Sequence, residues 1–274
     1  MKLSFTKMNG LGNDFMVLPW PSTKGLPPAD VVRRWADRRR GVGFDQLLLV
    51  DTEHPTDGAD ATYRIFNADG GEVEQCGNGV RCLASYLAPR PGADVKLVSP
   101  AGTITARVEA PDRVSVDLGM PDFRPAALPF AVSEESDRYR LEAAGRTVEF
   151  GAVSMGNPHV VIPVESVAAA PVEQVGRALQ SHPSFPRSVN VGFMERLDER
   201  RIRLRVFERG VGETLACGTG AAAAVAVGRR WGWLGENVAV ELPGGILDVK
   251  WHGPGTPLWQ TGPTTAVYEG YIEL

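Results

Sequence analysis

The chain contains one unit of sequence twice. The segment YRIFNADGGEVEQCGNG (63–79) aligns without a gap with LRVFERGVGETLACGTG (204–220), and this alignment pairs Cys76 with Cys217. Flanking segments repeat in the same order: GLGNDFMVL with SMGNPHVVI, GVGFDQLLL with NVGFMERL, and SPAGTITARV with LPGGILDVKW. Repetition over this length indicates a duplicated structural unit. The two halves must therefore fold alike.

Each copy predicts the same order of elements. An alternating strand is followed by a helix and a second pair of strands, then by a glycine turn with a cysteine, an apolar helix and further paired strands. The helix after each cysteine is apolar almost all round, as in Ala221 to Val227. Such a helix should be buried. We expect an α+β fold of two pseudo-symmetric repeats, each a central apolar helix wrapped by a mostly antiparallel sheet.

The expected domains are residues 1–119, carrying Cys76, and residues 120–264, carrying Cys217. The Pro-rich run MPDFRPAALP (120–129) is the best candidate for a linker.

Composition excludes several classes of protein. The 274 residues carry a net charge of −4, which gives nucleic-acid binding no electrostatic support. No stretch approaches the roughly 18 consecutive apolar residues of a membrane span, and the N-terminal residues do not form a secretory signal. Three cysteines without such a signal indicate free thiols in the cytoplasm. Cys76 and Cys82 lack the short paired spacing of zinc ligands, and only four histidines are present, so we expect no metal.

The cysteine turn combines two properties. A helix N-terminus presents backbone N–H groups without intrahelical partners, and glycines at 77, 79, 218 and 220 would let a carboxylate approach them. The same positive end of the helix should lower the pKa of a thiol from about 8.5. In a single copy, a glycine-rich helix entry with a buried cysteine is more often only packing.

Two copies change this interpretation. If the halves face each other, one thiol can remove a proton from a carbon atom while the other delivers a proton to the opposite face, which inverts the stereocentre. Two helix ends would stabilise the carboxylate as charge develops on it. None of the five lysines lies in either of the glycine turns that carry a cysteine, which disfavours a pyridoxal phosphate enzyme. We therefore expect a cofactor-independent isomerase that acts on a small amino acid.

The motifs MNGLGNDF, GFDQLLLV, FNADGGEVEQCGNGVRC, SMGNPH, ERGVGETLACGTGA and LPGG, in this order over nearly the whole chain, resemble the diaminopimelate epimerase family. The resemblance implies interconversion of LL- and meso-diaminopimelate for lysine biosynthesis. It also implies a homodimer, and a last strand (265–274) that returns to the first domain.

The resemblance also implies roles for individual residues. Cys76 and Cys217 resemble the acid/base pair, and His159 and Glu208 resemble the groups that adjust the two thiols. The turns that hold the reacting carboxylate correspond to Gly77-Asn78 and Gly218-Thr219. The remaining substrate contacts, to which Glu208 is added, correspond to Asn13, Gln46, Asn67, Asn157, Asn190 and Arg209.

Other interpretations stay open from the residues alone. Gln46, Asn190, Glu208 and Arg209 could each be an ordinary strand-end, turn or ion-pair residue, and His159 could be structural. Only the resemblance favours a functional role for them. Cys82 corresponds to Ala223 in the second copy, which indicates a buried apolar residue.

Three alternative functions compete with the epimerase. They are a proline- or hydroxyproline-type racemase, a thiol redox protein and an amino-acid-binding protein without catalysis. The racemase would not need Arg209 and the asparagines to hold a second charged end. The redox protein would usually carry a C-x-x-C motif, which neither site has.

Overall fold

Each half of the chain places one apolar helix against a sheet. The computed structural model describes residues 2–55, 58–73, 76–88 and 90–273. It divides into unit 1, residues 1–117 with 261–274, and unit 2, residues 118–260. The sequence placed the two boundaries after residues 119 and 264 instead.

In unit 1 the strands and helices are β1 (Lys2–Gly10), β2 (Asn13–Pro19), α1 (Ala29–Ala36), β3 (Gln46–Asp51), β4 (Ala61–Asn67), β5 (Glu72–Val73), α2 (Gly77–Leu87), β6 (Asp94–Ser99), β7 (Gly102–Ala110), β8 (Arg113–Asp117) and, from the end of the chain, β18 (Thr265–Glu273). A 3-10 turn covers Ser22–Lys24.

In unit 2 they are β9 (Tyr139–Ala143), β10 (Arg146–Ser154), β11 (Pro158–Val164), α3 (Val172–Gln180), β12 (Asn190–Arg196), β13 (Arg201–Glu208), β14 (Gly212–Thr214), α4 (Gly218–Arg230), β15 (Asn237–Leu242) and β16 (Gly245–Trp251). A 3-10 turn covers Pro125–Ala127, and β17 (Leu258–Pro263) crosses from unit 2 into unit 1 along the chain.

The two units repeat the same strand pairing. β2 and β3 are parallel and joined through α1, and β11 and β12 are parallel and joined through α3, as parallel neighbours require a crossover connection. The registers also correspond: Phe15 lies opposite Gln46, and His159 lies opposite Asn190. Most other pairs are antiparallel. The predicted α+β class with two repeats is confirmed.

The central helices are α2 and α4. α2 contacts β1, β2, β6, β7, β8 and β18, while α4 contacts β10, β11, β12, β13 and β16. Residues Ala221 to Val227 of α4 are all buried. The small side chains let the helix approach the sheet closely: a Cβ atom added to Gly151 of β10 would lie 2.4 Å from Val227 Cγ1. This close approach explains why α4 is built almost wholly from alanine, valine and glycine.

One feature of the fold differs from the prediction, and another agrees with what the family resemblance implied. The Pro-rich run 120–129 is packed within unit 2, because Asp122 forms a bridge with Ser154 and Leu128 is buried. β18 pairs antiparallel with β1, so the final residues of the chain supply a strand of unit 1. Leu274, the last residue of the predicted returning strand, lies outside the described residues.

None of the helices in the described part of the chain has the length and apolar composition that crossing a membrane requires.

We expect Gly151→Ala to lower the free energy of unfolding by about 1–3 kcal/mol, because the new methyl group overpacks a site bounded by Val227 and by Trp231, whose Cζ2 atom would be 3.0 Å away. Urea denaturation measures the change. The control is Gly235→Ala, where the nearest atom, the Glu199 carbonyl oxygen, would be 3.5 Å away and where we expect a change within about 0.5 kcal/mol. Equal losses in the two variants would contradict the overpacking argument.

Candidate active site

The two matched cysteines occupy the same position, the residue that precedes a central helix. Cys76 and Cys217 both have extended backbones, and their carbonyl oxygens accept the first helical hydrogen bonds, from Val80 N and Ala221 N, each at 3.0 Å. The amides of the three residues after each cysteine therefore have no acceptor within the helix. Each turn presents N–H groups and a positive dipole end, an arrangement suited to a carboxylate.

Gly220 shows why the turn in unit 2 needs glycine. A Cβ atom added there would lie 3.0 Å from Val206 Cγ2 and 3.2 Å from Cys217 Sγ. A side chain at position 220 would displace the thiol or the strand behind it. The glycine thus keeps Cys217 close to the first turn of α4.

In unit 1 the predicted site residues lie at the ends of three neighbouring strands. Asn13 begins β2, Gln46 begins β3 and Asn67 ends β4, and the register places Gln46 opposite Asn67. Gln46 Nε2 donates to Asn67 Oδ1 at 2.9 Å, and Asn13 Nδ2 lies 3.7 Å from Cys76 Sγ. Asn78, in the first turn of α2, is buried. The structure therefore places Asn13 beside the Cys76 thiol and pairs Gln46 with Asn67.

A charged cluster that sequence reasoning missed fixes two of these strand ends. Asp14 accepts from Lys7 Nζ and from both terminal nitrogens of Arg38, and Arg38 also donates to Asp45 at 2.8 Å. The backbone amides of Asp14 and Asp45 each donate to the other carboxylate. Because Asn13 and Gln46 are the adjacent residues, the cluster fixes the positions from which both side chains project.

Opposing effects set the pKa values of the two carboxyl groups in this cluster. Burial alone would raise the pKa of Asp14, but hydrogen bonds from Arg38 and Lys7 outweigh it and hold that pKa well below its usual range. Burial raises the pKa of Asp45. A motif search could have noticed Asp14 and Asp45, since each follows a glycine turn, but pairing them with Arg38 required the register of β2 and β3.

In unit 2 a carboxylate lies against the thiol. Cys217 Sγ donates to Glu208 Oε2 at 3.1 Å, and Thr214 Oγ1 donates to the other carboxylate oxygen. Burial raises the pKa of Glu208. Burial also raises the pKa of Cys217 well above its usual value, and the charge of Glu208 raises it further, against a smaller opposing effect of the Gly220 amide. Cys217 is therefore a thiol that donates a hydrogen bond.

This finding corrects one expectation from the sequence. The position of Cys217 at a helix N-terminus predicted a lowered pKa, and for this residue the prediction is wrong. Its side chain is only 4% exposed, and the loss of hydration together with the neighbouring carboxylate outweighs the field of the helix. The sequence indicated the helix end but not the burial.

His159 is connected to the turn through Asn157. Asn157 Nδ2 donates to Thr219 Oγ1 at 3.3 Å, and Asn157 Oδ1 lies 2.9 Å from His159 Nε2. Because an amide oxygen can only accept, this arrangement places the hydrogen on Nε2. Burial, with a smaller contribution from the charge of Arg209, lowers the pKa of His159 to about 3. His159 is therefore a neutral imidazole at physiological pH.

Asn190 fixes the segment that carries Arg209. Asn190 Nδ2 donates to the Pro158 carbonyl oxygen at 3.1 Å, and Asn190 Oδ1 accepts from the Arg209 backbone amide at 2.9 Å. The Arg209 guanidinium is exposed and donates to the Arg187 carbonyl oxygen at 3.2 Å. A planar, exposed guanidinium is suited to a carboxylate of a ligand.

Gln260 supports the second turn and was not predicted. Its side chain is fully buried, and Nε2 donates to the Gly218 carbonyl oxygen at 2.6 Å. A Cβ atom added to Gly218 would lie 2.9 Å from Gln260 Oε1, so this amide also requires glycine at position 218. Gln260 lies outside every repeated motif, and the sequence carried no signal for it.

We expect Glu208→Gln to increase the reactivity of Cys217. Removing the carboxylate charge lowers the pKa of the thiol, and a fall of one unit raises the thiolate fraction at pH 8 about tenfold. The measurement is the rate of reaction with methyl methanethiosulfonate, resolved by peptide with mass spectrometry. Glu213→Gln is the control, because Glu213 is exposed and pairs with Arg205 instead. An unchanged or slower reaction in Glu208→Gln would contradict the role assigned to its charge.

Comparison with known proteins identifies the family. The model of the family described as diaminopimelate epimerase matches residues 5–124 and 151–267. A diaminopimelate epimerase from Pseudomonas paraeruginosa is 49% identical over 277 residues, and one from Nitrosomonas europaea is 51% identical over 278 residues; both alignments cover 100% of each chain.

Solved structures with low sequence identity share the fold. A hydroxyproline epimerase from Agrobacterium vitis has a TM-score of 0.70 at 17% identity, covering 99% of this chain and 92% of the other. A phenazine biosynthesis protein of the PhzF family from Bacillus anthracis has a TM-score of 0.68 at 16% identity, with both chains covered completely. At these identities the likeness concerns the fold alone. The family model and the two relatives show that this chain belongs to the diaminopimelate epimerase family.

Proposed function

We propose that this protein interconverts LL- and meso-diaminopimelate by proton transfer at one α-carbon, with Cys76 and Cys217 as the two acid/base groups. The relatives that match over their whole length are named for this activity. One structural observation carries the proposal. The same element occurs twice, and in each copy a cysteine precedes a buried helix whose first amides lack intrahelical acceptors.

The chemistry needs both copies. One thiolate removes the α-proton, and the thiol of the other cysteine donates a proton to the opposite face of the carbon, so the configuration inverts. The electron pair left by the departing proton spreads into the neighbouring carboxylate. Backbone amides at residues 77–79 and 218–220 stabilise that charge as it develops. This route uses only groups of the protein and the substrate, so the proposal includes no cofactor.

The polar residues around the two turns hold the substrate. Diaminopimelate has two amino-acid ends, and only one of them reacts. Arg209 is assigned to the carboxylate of the distal end, because its guanidinium is exposed and its backbone is fixed by Asn190. Amide side chains can bind both an ammonium and a carboxylate. The residues assigned to these contacts are Asn13, Gln46, Asn67, Asn78, Asn157, Asn190, Glu208 and Thr219.

Glu208 and His159 act on the thiols in different ways. Glu208 accepts the hydrogen bond of Cys217 and so holds that group as an acid. His159 is neutral and orients Asn157, which in turn contacts Thr219 of the second turn. Position 67 has asparagine where position 208 has glutamate, and position 15 has phenylalanine where position 159 has histidine. The two thiols therefore react in unequal surroundings.

The compartment and pathway follow from the same chemistry. The two acid/base groups proposed above, Cys76 and Cys217, act only as thiols or thiolates. Catalytic thiols persist in a reducing compartment, so we assign the protein to the cytoplasm. Diaminopimelate, for which the family is named, is a precursor of lysine. We therefore assign the reaction to lysine biosynthesis.

The experiment that tests the activity is an assay in deuterated water, without added cofactor, with LL-diaminopimelate as substrate. We expect meso product with deuterium at one α-carbon, while the remaining substrate keeps its hydrogen in the first turnovers, because the incoming proton comes from the other thiol. Cys76→Ala and Cys217→Ala should each lower kcat by at least about 1000-fold. Cys82→Ala, which changes a buried thiol outside both turns, should retain turnover.

Three outcomes would overturn the proposal. The first is the absence of both product and exchange in reduced protein. The second is full activity in either cysteine variant. The third is exchange with proline but not with diaminopimelate, which would support the racemase alternative.

We also propose that the protein is a homodimer that uses the strand at its C-terminus. Three large apolar side chains of β18 are exposed: Val267 by 56%, Tyr268 by 46% and Tyr271 by 75%. Apolar groups concentrated on one strand at the surface indicate a surface that another chain covers. A second copy of this chain satisfies this requirement, because the same strand can lie against its own equivalent.

Tyr271→Asp should weaken the dimer at least tenfold, since a buried carboxylate would replace an aromatic contact. Sedimentation velocity over a range of concentrations measures the association. Thr265→Asp, at an exposed polar position of the same strand, is the control and should leave the dimer intact. A wild-type protein that stays monomeric at micromolar concentration would contradict the proposal.

A further inference from the structure

Unit 1 contains a fully buried arginine next to its catalytic turn. Arg81, in the second turn of α2, has the largest side chain among the fully buried residues of the described chain. Its Nη2 atom donates to Asn78 Oδ1, and Asn78 belongs to the turn assigned to the substrate carboxylate. Burial of a guanidinium is costly unless nearby groups compensate it. Groups near Arg81 must therefore compensate the cost of burying its charge.

Arg81 remains charged in this position. Burial lowers its pKa to about 10, and the charges of Cys82 and Cys76 act in the opposite direction. At neutral pH the side chain is thus a cation. The interaction is reciprocal: a thiolate that favours the charged arginine is itself favoured by that arginine.

Of these two thiols, only Cys76 is placed to use the interaction. Cys82 is fully buried, and burial raises its pKa to about 12 although Arg81 lowers it. Cys82 therefore stays protonated at neutral pH. Cys76 is only partly buried and lies at the N-terminus of the same helix. Cys76 is therefore the thiol whose ionised form the charge of Arg81 favours.

The second repeat has the opposite arrangement of charge. The alignment of the cysteine turns pairs Arg81 with Ala222, and it pairs Glu208 with Asn67. Cys217 therefore has a partly buried carboxylate next to it and no arginine at the equivalent helical position. Cys76 has a buried arginine and an amide at the position of the carboxylate. The duplicated turns differ in the sign of the charge placed next to them.

We propose that Arg81 is a positioning residue, one that orients Asn78 in the substrate turn and favours the thiolate of Cys76 while Glu208 keeps Cys217 protonated. This inference rests on the function proposed above. In the resting protein Cys76 is then the thiolate and Cys217 is the protonated thiol. Cys76 can accept the α-proton, and Cys217 can donate one. After one turnover the proton is on Cys76, and exchange with solvent restores the starting state.

The test compares Arg81→Gln, which removes the charge but keeps a donor for Asn78, with Arg81→Lys, which keeps the charge. The measurement is the pH dependence of Cys76 alkylation by iodoacetamide, resolved by peptide with mass spectrometry in the absence of substrate. We expect the midpoint to rise by about one pH unit in Arg81→Gln, so that the rate at pH 7 falls about tenfold. Arg81→Lys should stay within about threefold of the wild type.

The other ionisable groups near α2 do not change in these variants. On the strands in contact with α2 they are the pair Lys7 and Asp14, the pair Asp94 and Arg107, and Lys2, Lys96, Glu109, Arg113, Asp117, Tyr268, Glu269, Tyr271 and Glu273. Tyr86 lies on α2 itself, and Tyr63 of β4, whose pKa burial raises to about 12, interacts with the charge of Cys76. Any shift common to both variants would come from such groups or from altered packing. Circular dichroism melting establishes that each variant is folded.

Equal midpoints in the wild type and Arg81→Gln would overturn the proposal, as would equal shifts in both variants. If Arg81→Gln does not fold, the wild-type midpoint decides: a value above about 8.5, that of a free cysteine, would overturn the proposal. The readout contains no substrate. A failure here therefore differs from a failure of the epimerase assay, which measures turnover.

Discussion

The two cysteine turns depend on one constraint: each lies at the N-terminus of a buried helix. A helix that packs against strands on several sides must bury most of its surface, and α4 does so with alanine, valine and glycine. Its first amides have no acceptor within the helix and are satisfied by side chains, water or a ligand. The proposed function uses this end of the helix as a carboxylate site. In that proposal the cysteine at the same end carries the proton.

Duplication of the unit gives two such helix N-termini, and substitutions around them make their surroundings different. The backbone register is preserved, with Phe15 opposite Gln46 in one unit and His159 opposite Asn190 in the other. The side chains around the two turns have diverged in charge: position 67 is asparagine where position 208 is glutamate, and position 81 is arginine where position 222 is alanine. In the proposed reaction one thiol acts as the base and the other as the acid, and these substitutions give the two thiols different surroundings.

The repeat explains why so much could be predicted from the sequence. Matching glycine turns revealed both cysteines, the central helices and the α+β class, because these features are local in sequence. The cluster of Lys7, Asp14, Arg38 and Asp45 depends on contacts across strands, and no local pattern encodes it. The raised pKa of Cys217 depends on burial by several elements. Gln260 reaches Gly218 from a segment with no repeated motif. The resemblance to a family supplied the roles of the asparagines.

The pairing of β18 with β1 has a consequence for synthesis. Unit 2 is continuous in the chain, but unit 1 needs residues 261–274, which leave the ribosome after unit 2. Until β18 is synthesised, after more than half of the chain has been made, β1 is an unpaired edge strand of the N-terminal sheet. An unpaired edge can form hydrogen bonds with strands of other chains. Contacts between the two ends of a chain also close slowly. Loss of the last ten residues would thus cost the N-terminal unit a strand while leaving the later-made unit whole.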